Sequence, residues 1–164
     1  MIEGVYTLLL GFMTIFLAFI ADQLSKFMID TQVVVSHHIV CNDYFNLVKV
    51  WNTGVSFSMF DNHGTLGTVV LSTVSLVISI VLLNWMRHET NRLKIISLGM
   101  IVGGALGNVF DRIRFGAVLD FLDFHYDTYH WPAFNLADSF ICVGAFILIV
   151  WELFYEKKKG LDRI

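Results

Sequence analysis

The sequence predicts an α-helical membrane fold with four transmembrane helices, and three observations lead to it. Hydrophobic residues make up 56% of the 164 residues and charged residues only 15%. The mean hydropathy is +0.68, outside the range of ordinary soluble domains. Apolar runs lie at about 4–22, 65–86, 94–111 and 135–154, close to the length that spans a bilayer. We therefore expect one integral membrane domain over residues 1–164.

The first run, Gly4 to Ala21, has 18 residues without a charge. Only Glu3 precedes it closely, so it lacks the basic start of a secretory signal peptide. We expect it to be a retained first span.

The positions of lysine and arginine predict the orientation. Seven of the eleven basic residues lie in the link between the second and third runs or in the C-terminal tail, namely Arg87, Arg92, Lys94, Lys157, Lys158, Lys159 and Arg163. By the positive-inside rule both termini are cytoplasmic. Segments 27–64 and 111–133 then face outward.

Segment 30–64 is too polar for a span and is rich in β-forming residues. The stretches "TQVVVSHHIV", "YFNLVKVW" and "VSFSMF" are separated by turn signals at Cys41-Asn42-Asp43 and Asn52-Thr53-Gly54, as in a set of short strands. We expect a small antiparallel β platform in this first outward loop.

Several charges lie where apolar residues are expected. Only 16 residues separate Lys94 from Asp111 and 13 separate Asp138 from Glu152. Helices of these lengths cover roughly 24 and 20 Å, less than the roughly 30 Å of hydrocarbon. With the predicted orientation, four acids converge on the outer end of the bundle, namely Asp22, Asp111, Asp120 and Asp138. Ionisable groups at this depth are functional candidates.

Helical spacing gives three of these acids nearby polar partners at i, i+3 and i+4. The trios are Asp22 with Ser25 and Lys26, Asn108 with Asp111 and Arg112, and Asn135 with Asp138 and Ser139. A structural explanation exists for each: an interfacial ion pair, the end of the third helix, and a capping box with Asn135 as N-cap and Asp138 at N3. Gly99, Gly103 and Gly107 form a small-residue row that favours close helix packing.

Five ordered blocks give the chain a family resemblance. "DQLSK" at 22–26, "NTGVSFS" at 52–58, "GGALGNVFDR" at 103–112, "VLDF" at 118–121 and "FNLADS" at 134–139 resemble lipoprotein signal peptidase, or signal peptidase II. The resemblance implies an aspartyl endopeptidase of the bacterial inner membrane, with its active site toward the periplasm. Such an enzyme cleaves prolipoprotein signal peptides immediately before a diacylglyceryl-modified cysteine.

The resemblance also implies residue roles. The family's catalytic pair falls on Asp120 and Asp138. Its supporting or substrate-binding residues fall on Asp22, Lys26, Asn52, Gly54, Gly107, Asn108, Arg112 and Asn135.

Two neighbouring carboxyl groups can carry out peptide hydrolysis without a further group. Because like charges held together do not both ionise easily, the pair shares a proton and supplies both a base and an acid. Asp123 is a rival of Asp120 for the carboxylate of the outer loop. Two other classes remain open: a serine–lysine peptidase using Lys26 with Ser25 or Ser139, and a transporter or scaffold whose buried acids form an ion path.

The remaining expectations concern partners. Cys41 and Cys142 fit no disulfide or metal framework, and the spacing of His37, His38, His125 and His130 matches no ligand motif. We expect no metal or cofactor and no nucleic-acid partner. The expected partners are lipidated prolipoproteins and membrane lipids, and the expected state is a monomer.

Overall fold

The computed structural model describes residues 2–33, 38–54 and 64–156. Its helices are α1 (Ile2–Gln32), α2 (Gly64–His88), α3 (Arg92–Phe115) and α4 (Leu136–Trp151), and a π-helical turn at Glu152–Glu156 continues α4. Its strands are β1 (Ile39–Asn42), β2 (Phe45–Asn52), β3 (Val118–Tyr126) and β4 (Tyr129–His130). The predicted combination of four apolar helices and a small antiparallel sheet is confirmed.

All four helices contain a segment long and apolar enough to cross a membrane: Tyr6–Gln32, Leu66–His88, Arg92–Phe115 and Leu136–Tyr155. Helix α1 has 31 residues, or about 46 Å, which exceeds the hydrocarbon thickness. It therefore continues well beyond the predicted end near residue 22. This extension is possible because Asp22 and Lys26 within it are paired inside the protein, while Asp30 near its end pairs with Lys49 at the surface.

Helix α3 forms the centre of the bundle, and glycines let its neighbours approach closely. A Cβ at Gly99 would lie 2.8 Å from Thr14 Cβ, and one at Gly103 would lie 2.6 Å from the backbone oxygen of Ile15. A Cβ at Gly104, on another side, would collide with the backbone oxygen of Ala137 in α4. The predicted glycine row is thus the surface on which α1 and α3 pack.

The sheet is antiparallel with strand order β1-β2-β3-β4. Residues Val118–Phe121 of β3 are buried, and Leu119 and Phe121 form a core cluster with Ile29 and Val33 from the end of α1. This apolar contact joins the sheet to the bundle. It also places the first residues of β3 beside the ends of α1 and α3.

The sheet differs from the prediction in two respects. Thr31 and Gln32, expected in the β-rich segment, belong to α1, because packing of the helix end against β3 overrides local β propensity. The second half of the sheet comes from Val118–His130, so Asp120 lies on a strand and not in a loop. The predicted strand at 55–60 and residues 34–37 lie outside the described residues.

Candidate active site

A buried lysine joins α1 to α3. The Lys26 ammonium lies 2.9 Å from Asp22 Oδ2 and 2.8 Å from Asp111 Oδ2, and it donates to Asn108 Oδ1 at 2.9 Å. The side chain is only 5% exposed. These three acceptors match the three N–H donors of an ammonium group. Two of the predicted acids are therefore held by one cation, and the predicted pairing of Asp22 with Lys26 is confirmed.

Gln23 is a member of this cluster that was not predicted from the sequence. Its Nε2 atom donates to Asp111 Oδ1 at 3.0 Å, to Asp22 Oδ2 at 3.1 Å and to the backbone oxygen of Gly107 at 3.3 Å. It bridges the same two carboxylates that bind Lys26. The one signal in the sequence was its position within "DQLSK", next to a buried acid.

Two side-chain amides connect the lysine cluster to the predicted catalytic acids. Asn108 Oδ1 accepts from Lys26 and, at 3.2 Å, from Asn135 Nδ2. Its Nδ2 atom donates to Asp138 Oδ1 at 2.8 Å. Because the amide oxygen already faces two donors, the NH₂ group must face the carboxylate of Asp138.

Asn135 is oriented in the same way. Its Oδ1 atom accepts from the backbone N–H of Asp138 at 3.0 Å, while its Nδ2 atom donates to Asp120 Oδ1 at 2.7 Å. The residue is fully buried. Through this one side chain, the N-terminus of α4 is linked directly to Asp120 on β3.

The start of α4 has the predicted capping box. Asn135 is the N-cap, Asp138 occupies N3, and the Asp138 carboxylate accepts from the backbone N–H of Asn135 at 3.3 Å. The structural and functional interpretations of Asp138 are therefore compatible. Its Oδ2 atom closes the helix end while its Oδ1 atom accepts from Asn108.

On its other side Asp120 contacts β2. Asn52 Nδ2 donates to Asp120 Oδ2 at 2.9 Å, and Asn52 Oδ1 accepts from the backbone N–H of Gly54 at 2.8 Å. Gly54 has φ 78°, and a Cβ there would collide with the side chain of Leu71. Glycine meets both restrictions, and the tight turn that it permits directs the Asn52 amide toward Asp120.

Asp120 has an environment that favours the protonated acid. The residue is 3% exposed. Burial raises its pKa to about 6, opposed by the hydrogen bond from Asn52 and reinforced by repulsion from Asp138. The two carboxyl groups are thus close enough to influence each other.

Arg112 and Gly107 complete the predicted set. Arg112 interacts electrostatically with Asp138, Asp120 and Asp111, yet its buried Nε atom has no hydrogen-bond partner within the described residues. A Cβ at position 107 would lie 2.5 Å from Asp22 Oδ2. The glycine therefore lets the Asp22 carboxylate fit against α3.

The rival residues lie in other surroundings. Asp123 accepts from Asn46 and lies 2.8 Å from His130 Nδ1. Ser25 Oγ donates to the backbone oxygen of Asp22, and Ser139 Oγ to that of Asn135. Because the Lys26 ammonium already has three acceptors, the contacts of Lys26 give no support to a serine–lysine pair.

Metal-binding side chains do not gather at the site. Over residues 2–33, 38–54 and 64–156, no three His, Cys, Asp or Glu side chains lie close enough together to hold a metal ion. His125 and His130 stack on each other with their ring centroids 5.0 Å apart, while His37 lies outside the described residues.

Comparison with known proteins identifies the family. The family model described as "Signal peptidase (SPase) II" matches residues 14–154. The lipoprotein signal peptidase of Francisella tularensis subsp. novicida is 40% identical over 141 residues, covering 84% of this chain and 88% of that protein. The one from Aeromonas hydrophila is 40% identical over 148 residues, covering 88% and 89%.

Solved structures show the same fold. A bacterial membrane enzyme determined by the in meso method at 1.9 Å superposes with a TM-score of 0.79 at 24% identity, over 88% of this chain and 93% of that one. A second, determined at 2.3 Å, gives 0.75 at 25% identity over 87% of each chain. The chain belongs to the signal peptidase II family of lipoprotein signal peptidases and is an aspartic endopeptidase.

Proposed function

We propose that Asp120 and Asp138 are the catalytic pair. The enzyme then cleaves the signal peptide of a diacylglyceryl-modified prolipoprotein immediately before the lipidated cysteine. The observation that carries this proposal is the pair of amides between the two carboxyl groups: Asn135 donates to Asp120, and Asn108 donates to Asp138. Both acids are thereby held in fixed orientations on separate elements, as a water-activating pair requires.

The charges around the pair also support a shared proton. The cluster contains two cations, Lys26 and Arg112, and four carboxyl groups. Two of those carboxyl groups, Asp22 and Asp111, are ion-paired with Lys26. Arg112 alone cannot balance Asp120 and Asp138 if both are ionised. One proton held between them halves the excess negative charge of the cluster, as in other carboxyl pairs that are held close together.

The surroundings of each acid suggest its role in the first step. Asp138 lies at a helix N-terminus and accepts two hydrogen bonds, an arrangement that stabilises negative charge. Asp120 has a raised pKa because it is buried. Asp138 therefore takes a proton from water as the water oxygen bonds to the scissile carbonyl carbon, and Asp120 gives its proton to the carbonyl oxygen.

The resulting gem-diol breaks down when a proton passes to the leaving amine of the lipidated cysteine. The two acids exchange roles in this second half of the reaction. Asp22, Lys26, Asn52 and Asn135 position the pair. Arg112, which interacts electrostatically with both acids, donates to the substrate backbone in this mechanism.

The substrate lipid determines how the substrate reaches the site. Removing diacylglyceryl chains from the bilayer would cost about 0.8 kcal/mol per CH₂ group, so the substrate enters sideways from the membrane between helices. We place the protein in the bacterial inner membrane as a monomer, with both termini in the cytoplasm and the carboxyl pair at the periplasmic edge.

The test compares three nearly isosteric variants, Asp120→Asn, Asp138→Asn and Asp123→Asn. Conversion of a lipidated prolipoprotein is followed by gel shift in membranes containing equal amounts of folded enzyme. Processing should stop in the first two variants and continue in the third. Wild-type processing by Asp120→Asn or Asp138→Asn would refute the proposed catalytic pair. If only Asp123→Asn lost processing, Asp123 would replace Asp120 as the catalytic acid on β3.

A further inference from the structure

A second polar site lies on the sheet, apart from the carboxyl pair. A cavity of about 890 Å³ opens there between β1, β2 and the β3–β4 hairpin. Its lining includes the carboxyl-bearing residues Asp43, Asp123 and Asp127. The resemblance and the proposed mechanism assign no role to these three residues.

The buried wall of the cavity contains an acceptor without a donor. Asn46 is 6% exposed, and its Nδ2 atom donates to Asp123 Oδ2 at 3.1 Å. Its Oδ1 atom has no hydrogen-bond partner among the residues that the structure describes. Buried polar atoms in native proteins are usually satisfied. A ligand that brings N–H donors would meet this need.

The negative charge of the cavity lining indicates whether the N–H donor of the ligand is neutral or cationic. Asp43 and Asp127 are exposed at the rim. Hydrogen bonds from His130 and Asn46 outweigh the effect of burial and hold the pKa of Asp123 below its ordinary value, so this carboxylate is ionised at neutral pH. None of the described lining residues is Lys or Arg, and the three lining histidines, His38, His125 and His130, oppose a cation only when they are protonated. The cavity therefore favours a cation.

The apolar residues in the lining favour a cation that carries a hydrocarbon chain. Val40, Val48 and Trp131 line the same cavity. They suit the hydrocarbon stem of a lysine or arginine side chain, which buries its methylene groups while its charged end reaches polar partners. A small inorganic cation would gain nothing from these residues.

The cavity extends along β2 as far as the strand position opposite Asp120. Val50 lines it, and Val50 is the Cα partner of Asp120 in the β2–β3 register. Asp123 follows Asp120 by three residues along β3, or about 10 Å. An extended peptide leaving the pair along the sheet reaches the cavity with about its third to fifth residue.

From this we propose that the cavity binds a lysine or arginine side chain of the substrate, located three to five residues after the scissile bond. The inference rests on the proposed function, because it needs a peptide held at Asp120 and Asp138. Asp123 and Asp127 then act in substrate selection. They take no part in the chemistry.

The test uses two lipidated peptides that differ only by lysine or glutamine at the fourth position after the scissile bond. Initial rates are measured in micelles at pH 8, above the ordinary titration range of imidazole. The value of kcat/KM should be about fivefold higher for the lysine peptide, equivalent to about 1 kcal/mol. This preference should shrink in high salt, which screens partly exposed charges.

Three variants locate the effect. Asp127→Asn and Asp123→Asn should bring the preference close to one without slowing the glutamine peptide. Asparagine tolerates the positive φ of 54° at position 127, so that variant keeps the backbone of the turn. Asp30→Asn removes the same charge from outside the cavity and should retain the preference.

The possible outcomes are distinct. Equal rates for the two peptides with wild-type enzyme would overturn the inference and leave the proposed function intact. A preference that persists in both cavity variants would also overturn it. If neither peptide were cleaved, the proposed function would fail and the inference with it.

Discussion

Asn135 donates a hydrogen bond of 2.7 Å to Asp120 while its own amide oxygen caps helix α4 through the backbone N–H of Asp138. One side chain thus begins a helix and orients a candidate catalytic acid. The two tasks use different ends of the amide. Substitutions that keep one end and remove the other can separate them.

Asn135→Ser should keep the cap and lose the contact with Asp120. Serine is a good N-cap but has no NH₂ group that reaches the carboxyl group. We expect activity to fall about 10-fold or more, from loss of a hydrogen bond worth about 1.5–3 kcal/mol to a charged or proton-sharing group. Prolipoprotein processing rates check this.

Asn135→Ala is the matched variant. It loses both functions, so its free energy of unfolding should lie about 1 kcal/mol below that of Asn135→Ser, with similar activity. Denaturant unfolding in micelles measures the difference. Equal stability of the two variants would mean that the cap does not contribute to stability. Normal activity in the serine variant would mean that the contact between Asn135 and Asp120 does not contribute to catalysis.

Lys26→Met tests the buried cluster. The substitution leaves the carboxylates of Asp22 and Asp111 buried without their cation. Breaking a buried ion pair from one side costs about 3–5 kcal/mol, so the free energy of unfolding should fall by this amount. Thermal or denaturant unfolding in micelles is the measurement.

Lys49→Met serves as the control for Lys26→Met. Lys49 pairs with Asp30 at 2.8 Å, and the Asp30 side chain is 43% exposed. Such surface pairs contribute about 0–1 kcal/mol. Similar losses in the two variants would contradict a special role for Lys26.

Gly107→Ala tests the close contact between α1 and α3. The added methyl group would lie 2.5 Å from Asp22 Oδ2, so either the helix or the ion pair must shift. Overpacking of this kind costs about 1–3 kcal/mol. Gly4→Ala is the control, because a methyl group there would have no atom within 4 Å, and alanine should add about 0.5–1 kcal/mol of stability. Unfolding in micelles compares the two, and equal effects would contradict the contact.

The sequence was sufficient to predict the four helices and the convergence of the acids, because both depend on local patterns. An apolar run predicts a span, and a charge inside a run must find a partner. Asp22 and Lys26 are four residues apart on one helix, so their pairing follows from helical spacing.

Other parts of the site depend on contacts between distant residues. Asn52 and Asp120 are 68 residues apart and meet only through the β2–β3 register. Strand β3 was not predicted, because its burial against the end of α1 stabilises it more than its own pattern does. Gln23 was missed for a similar reason, since its partner Asp111 is 88 residues away.

The final prediction concerns the pH dependence of stability. The pKa of Asp120 is raised from 3.8 to about 6 by burial, so the folded protein holds this proton more tightly than the unfolded chain does. The tighter binding of this proton stabilises the folded protein fully below about pH 4, and the stabilisation is lost as the pH rises through about 6. The total is about 3 kcal/mol at about 1.36 kcal/mol per pKa unit.

Asp120→Asn should therefore be more stable than the wild type at pH 7–8 and should lose this advantage near pH 4.

At Asp123 the pH dependence of stability should have the opposite sign. Its pKa lies below the ordinary value because hydrogen bonds from His130 and Asn46 outweigh the effect of burial. Asp123→Asn should thus be less stable than the wild type at neutral pH, and the difference should vanish in acid. Unfolding of the three proteins is measured from pH 2 to 8, because the Asp123 difference disappears only below the ordinary aspartate pKa of 3.8. Curves that stay parallel over this whole range would show that neither carboxyl group has the environment described.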